Sequence, residues 1–144
     1  MTETVAIAAD HAGFELKEVL KAELVSQGRK VLDLGTTGTQ SVDYPDFAER
    51  LARALKEGQA QRGVLVCGTG IGISIAANRH RNVRAALCHD SVSARMARAH
   101  NDANVLALGA RLIGEEAAFD TLDVFLATGF DGGERHTRRV GKLG

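Results

Sequence analysis

The stretch Gly63–Ser74, G-V-L-V-C-G-T-G-I-G-I-S, decides the fold. Val64, Leu65 and Val66 make a short apolar, β-branched run with the composition of a buried strand. Gly68, Thr69, Gly70, Ile71 and Gly72 then read as a turn with exposed backbone, and Ile73 to Asn78 as the opening of a helix. A strand that runs through a glycine turn into a helix is the half-unit of a parallel α/β sheet. Cys67 stands at the junction. A thiol there lies beside free backbone N–H groups at the positive end of a helix, a setting that favours anions: one loop can supply a proton-accepting sulfur and a cradle for an anionic oxygen.

Outward from this stretch the same alternation continues. Apolar runs at Val5 to Ala9, Lys30 to Leu34, Val83 to Leu87 and Val105 to Leu108 read as four more strands. Between them lie segments of helical period, with Leu16, Val19, Leu20 and Leu24 on one stripe and Phe47, Leu51 and Leu55 on another. Further helices are expected after the glycine loop, from about Ser91 to His100, and from Glu115 to Thr128 with Phe119, Leu122, Phe125 and Leu126 facing inward. Ser91 suits a helix cap, Pro45 a first helical turn, and Gly28, Gly58 and Gly129 the helix ends. The expected fold is an α/β three-layer sandwich with a five-stranded, mainly parallel, Rossmann-like sheet. It forms one domain over residues 1–144, with residues 130–144 a polar, glycine-rich tail that orders only against its own body or a partner subunit.

Apolar residues at 44% and charged residues at 25% describe an ordinary globular chain, not a disordered one. Zero formal net charge argues against bulk binding to nucleic acid or anionic membrane, although Arg135, His136, Arg138, Arg139 and Lys142 form a local basic cluster. No basic leader precedes Val5 to Ala9, and no apolar run is long enough to span a bilayer, so the expected compartment is the cytoplasm. The two cysteines, Cys67 and Cys88, lack the spacing of a disulfide framework or a structural metal site.

Ligands of parallel sheets collect beyond the carboxyl ends of the strands. There the sequence sets Asp10 and His11, Cys67 with its loop, Cys88 with His89 and Asp90, and Gly109 with Arg111. His100, Asn101 and Asp102 precede the last strand and belong, by simple topology, to the opposite end. Each candidate has a plainer reading. Asp10 could be a helix cap beside a surface imidazole, Cys67 a small buried hydrophobe, His100 a cation at a helix end, and the tail arginines a solvated basic terminus. Arg135 and Arg139, four residues apart, can instead converge two guanidinium forks on one phosphate. Gly68, Gly70 and Gly72 also approximate a dinucleotide fingerprint with Asp90 downstream, but the third glycine comes one place early and the motif follows the third strand.

Five segments in order, A-A-D-H-A-G-F at Ala8 to Phe14, D-Y-P at Asp43 to Pro45, C-G-T-G-I-G-I-S-I-A-A-N at Cys67 to Asn78, H-N-D-A-N-V-L-A-L-G-A-R at His100 to Arg111, and G-G-E-R-H-T-R-R-V at Gly132 to Val140, resemble the type B ribose-5-phosphate isomerases. The resemblance implies a metal-free and cofactor-free aldose–ketose isomerisation, ribose 5-phosphate to ribulose 5-phosphate, through an enediolate. Carried over by position, Cys67 matches the base, and Thr69 with Gly68, Gly70, Ile71 and Gly72 matches the anion hole. His100 matches the acid that opens the sugar ring, Asp10 and His11 match the sugar site, and Asn101 a substrate hydroxyl contact. Arg135 and Arg139, with His136 and Arg111, match the phosphate ligands. One branch of the family replaces the cysteine with a glutamate further along the loop; here Ile73, Ser74 and Ile75 offer no carboxylate. The resemblance also implies a homodimer, or a tetramer of dimers, with sites completed across the subunit interface. Allose and galactose 6-phosphate isomerases share the family, so a six-carbon substrate is the alternative, and a non-catalytic nucleotide-binding module the more distant one.

Overall fold

The computed structural model, which describes residues 3–144, turns each of the five apolar runs into a strand: β1 (Thr4–Ala9), β2 (Lys30–Asp33), β3 (Arg62–Cys67), β4 (Ala85–Leu87) and β5 (Val105–Gly109). Six helices accompany them: α1 (Phe14–Ser26), α2 (Tyr44–Lys56), α3 (Ile71–Ala77), α4 (Ser91–Asn101), α5 (Glu115–Ala127) and α6 (Glu134–Gly141). All four strand pairings are parallel, in the order β2-β1-β3-β5-β4, with Ile7 opposite Val64 and Cys67 opposite Gly109.

Side chains alternate across this sheet and both faces are covered, so the central strands are apolar throughout. Val5, Ile7, Val64, Val66, Leu106 and Leu108 join Leu20 and Leu24 of α1, Ala94 of α4 and Leu122 and Phe125 of α5 in one core. On the other face Ala6, Ala8, Leu65, Cys67 and Ala107 pack under Phe47 and Leu51 of α2 and Ile73 of α3. Each fully buried Leu, Val or Phe contributes roughly 1.5–3 kcal/mol. No helix among the described residues is long and apolar enough to cross a membrane.

Two local expectations are corrected and a third is made specific. The fourth strand covers only Ala85–Leu87, because Val83 closes a turn onto the His80 carbonyl and the Asn104 side chain takes the Arg84 N–H at 2.8 Å. Asp90, not Ser91, caps α4: its Oδ1 accepts the Ser93 N–H at 2.7 Å and makes Ser91 the first helical residue. The polar tail contains a helix, α6, that tucks His136 against α4. Polar composition hid this helix, since its inward face is little more than one histidine.

Candidate active site

Helix α1 leaves β1 onto one face of the sheet and α3 leaves β3 onto the other. That divergence opens a crevice beyond the carboxyl ends of these neighbouring strands. Here lies a cleft of about 300 Å³ lined by Asp10, His11, Tyr44, Cys67, Gly68, Thr69, Gly72 and Arg111. A larger groove of about 760 Å³ runs between α2 and residues 79–82, lined by Arg53, Lys56, Arg79 and Arg81 among others. It holds none of the candidate residues, and chemistry, not size, singles out the smaller cleft.

Cys67 is buried at the base of the cleft, and its Sγ accepts the Gly70 N–H at 3.1 Å. The turn that makes this contact needs glycine. Gly70 has φ +76°, and a Cβ there would stand 2.5 Å from Leu87 Cδ1 and 2.8 Å from the Leu108 carbonyl carbon. The Ile71 N–H goes to Thr69 Oγ1 at 3.2 Å, so two of the loop's donors are already engaged. Among the described residues the Thr69 and Gly72 N–H groups have no such partner and remain available to an oxyanion. Gly72 also leaves room for Tyr44, whose ring would lie 2.5 Å from a Cβ at that position.

Asp10, largely buried, accepts the Gly13 N–H at 3.0 Å through Oδ1 and thereby shapes the entry to α1. His11 Nδ1 accepts the Val42 N–H at 3.1 Å, which places the proton of the neutral ring on Nε2. Arg111 donates its backbone N–H to the Gly68 carbonyl at 2.9 Å and lays its guanidinium over Gly68. The segment that delivers Val42 and Tyr44 is anchored at its start. Buried Lys17 holds Asp33 at 2.8 and 2.9 Å, Asp33 Oδ1 takes the Gly35 N–H at 2.9 Å, and Gly35 and Thr36 bond to the backbone of Ala9. Burial alone would raise the Asp33 carboxyl, but hydrogen bonds from Lys17, Gly35 N–H and Lys21 outweigh it and hold the group below the usual carboxylate range.

The remaining candidates form a second group. Helix α4 runs back along the sheet, so His100 and Asn101 lie at the amino end of β5, a strand of five residues or about 17 Å from its carboxyl end. His100 stacks on His136 with centroids 4.5 Å apart and planes within 4°. Arg135 Nη2 approaches His136 Nε2 at 3.5 Å, and Asp131 Oδ2 lies 3.9 Å from the same nitrogen. Buried Arg98 braces the group. It donates to the Thr128 and Ala103 carbonyls at 3.0 and 2.8 Å and pairs with Asp102 at 2.8 Å, while Asp131 N–H reaches the Ala99 carbonyl at 2.9 Å.

Within one chain, then, Asp10, His11, Cys67, Gly68, Thr69, Gly72 and Arg111 come together, with Gly70 as the cap of α3 and Ile71 its first residue, so the helix starts two residues earlier than the expected Ile73. His100, Asn101, Arg135, His136 and Arg139 do not join them. Cys88 is in neither group; burial pushes its thiol up. Sequence reasoning gave Tyr44 no role although the D-Y-P segment contains it, and Lys17 gave no signal beyond a cation on the inward stripe of α1.

The protein-family model described as Ribose/Galactose Isomerase matches residues 5–143. A crystal structure of a ribose 5-phosphate isomerase from Thermotoga maritima superposes with a TM-score of 0.97 at 52% identity, covering 99% of this chain and 98% of that one. Ribose-5-phosphate isomerase B of Escherichia coli is 45% identical over 136 residues, 94% of this chain and 91% of the relative. D-erythrulose-4-phosphate isomerase of Pectobacterium atrosepticum is 46% identical over 132 residues, 90% and 86% of the two chains. The family match over nearly the whole chain and these identities show that the chain belongs to the ribose/galactose isomerase family.

Proposed function

We propose that this chain, as one domain over residues 1–144, is an aldose–ketose isomerase that interconverts ribose 5-phosphate and ribulose 5-phosphate in the cytoplasm. The observation that carries the reading is the division of the candidate residues: Cys67 and its glycine loop line the cleft, while His100 and the tail arginines lie at the far end of the sheet. Neither half suffices, and a second copy of the chain supplies what the first lacks. Ile71 and Ile75 on α3 and Val92 and Met96 on α4 are exposed, at spacings of four, on the two helices that flank edge strand β4. Such an apolar surface suits a homodimer interface, on which a tetramer of dimers can build.

Arg135 and Arg139 from one subunit, with His136 beside them and Arg111 from the other, take the phosphate. His100 protonates the ring oxygen as the O1 proton leaves, which opens the sugar. Cys67 then removes the proton at carbon 2, and charge accumulates on O1. The Thr69 and Gly72 N–H groups meet that oxyanion, while His11 Nε2–H, Asp10 and Asn101 hold the hydroxyls. The O2 proton passes to O1, and return of the Cys67 proton to carbon 1 completes the ketose. Carbon 1 is reduced and carbon 2 oxidised within one molecule, so the sugar supplies its own electrons.

Subunit complementation tests the reading. Cys67→Ala and His100→Asn should each be inactive, and a refolded mixture should regain activity, because one site of each mixed dimer keeps both groups. A mixture as inactive as its parents overturns the shared site. Turnover of four-, five- and six-carbon aldose phosphates by the wild type settles substrate length, and preference for a six-carbon sugar overturns the ribose assignment.

A further inference from the structure

The chemistry proposed above uses His100 but leaves open why an exposed histidine at the end of a helix should hold one orientation. Its backbone is fixed by the helix end, yet on α4 nothing restrains the ring. The restraint comes from α6. His136 is buried, only 9% exposed, and lies parallel beneath the exposed His100 ring at 4.5 Å and 4°. Two imidazoles stacked this closely cannot both carry a proton cheaply.

The surroundings keep the buried one neutral. A guanidinium only donates, so favourable contact between Arg135 Nη2 and His136 Nε2 requires that nitrogen to be bare. Burial, His100 and Arg135 lower the His136 pKa, with Arg139 adding to the effect, and Asp131 at 3.9 Å opposes them only in part. The buried ring is therefore the neutral partner of the stack.

We propose that His136 is a positioning residue for ring opening, a flat neutral platform that sets the plane of His100 and leaves the exchangeable proton on the ring that faces the sugar. This rests on the reading of His100 as the ring-opening acid. Its consequence is selective: sugars that cyclise need the platform, and sugars that cannot cyclise do not. Erythrose 4-phosphate is such a sugar, because the hydroxyl that would close its five-membered ring carries the phosphate.

The experiment compares kcat on ribose 5-phosphate and erythrose 4-phosphate. In His136→Ala the ribose-to-erythrose ratio should fall about tenfold or more, since a misdirected catalytic group loses a large part of its effect. In His136→Phe, which restores a stacking face without a titratable nitrogen, the ratio should stay within about twofold of wild type. Should the alanine variant not fold, His136→Gln, which removes the ring, reads the same ratio. Equal losses on both sugars, or a phenylalanine variant as selective in its defect as alanine, overturn the platform. His100→Asn separates this failure from that of the underlying reading: if it slows both sugars alike, the ring-opening role itself falls.

Discussion

Val42 donates its backbone N–H to Nδ1 of His11 at 3.1 Å, and through that bond a loop residue far away in sequence chooses the tautomer of a cleft imidazole. Asparagine can mimic Nδ1 as an acceptor but offers nothing at the Nε2 position. His11→Asn should therefore fold normally and raise KM for the sugar phosphate about tenfold, the worth of one hydrogen bond to a polar or charged group. Steady-state kinetics alongside a thermal melt checks both parts.

Lys17→Met should cost about 1–3 kcal/mol, because Asp33 loses its closest cation while Lys21 at 3.0 Å and the Gly35 N–H still support it. The pH dependence has a definite sign. The folded pKa of Asp33 lies below its unfolded value, so its stabilisation is present above the ordinary carboxylate range and is lost as pH falls through the lowered folded value. Urea titrations at neutral and acid pH should show the wild type losing more stability on acidification than the variant.

Gly70→Ala and Gly72→Ala should behave differently although two residues apart. At Gly70 the added methyl meets Leu87 and the backbone of Leu108 at a positive φ, for a loss of roughly 2–4 kcal/mol. At Gly72 it meets only the exposed Tyr44 ring, which can swing away. That variant should stay within about 1 kcal/mol of wild type while its cleft loses the tyrosine wall, which denaturant curves and KM would register.

Cys88 should resist alkylation in the folded protein, since it is 2% exposed and burial raises its thiol pKa. In the Cys67→Ala background, native protein at neutral pH should take up no iodoacetamide. One label should appear on unfolding, read by mass spectrometry.

Ile75→Asp combined with Met96→Asp places charge on two exposed apolar positions without touching either group of candidate residues. Sedimentation should show a monomer, and isomerase activity should vanish with a melting curve little changed.

Much of this architecture was legible because its strands are buried on both faces and are written as unbroken apolar runs, Val64 to Val66 above all. Asp10 and Cys67 could be brought near one another from sequence, since neighbouring parallel strands deliver their final residues to the same edge. What stayed hidden depends on single contacts between distant segments. Periodicity says nothing of Asn104 replacing ladder bonds before β4, or of α6 ordering through one buried histidine. It is equally silent on Lys17 finding Asp33 across a turn. The remoteness of His100 from Cys67 was readable, because α4 must return the chain to the start of β5.

That return has a consequence at the level of abundance. With the sulfur at one end of the sheet and the stacked imidazoles at the other, a site shared between subunits makes folding and competence separate thresholds: a lone subunit, though folded, should be chemically silent. Specific activity should then rise with protein concentration until pairing saturates, so that the cell's stock of the chain sets both how many sites exist and whether any of them works.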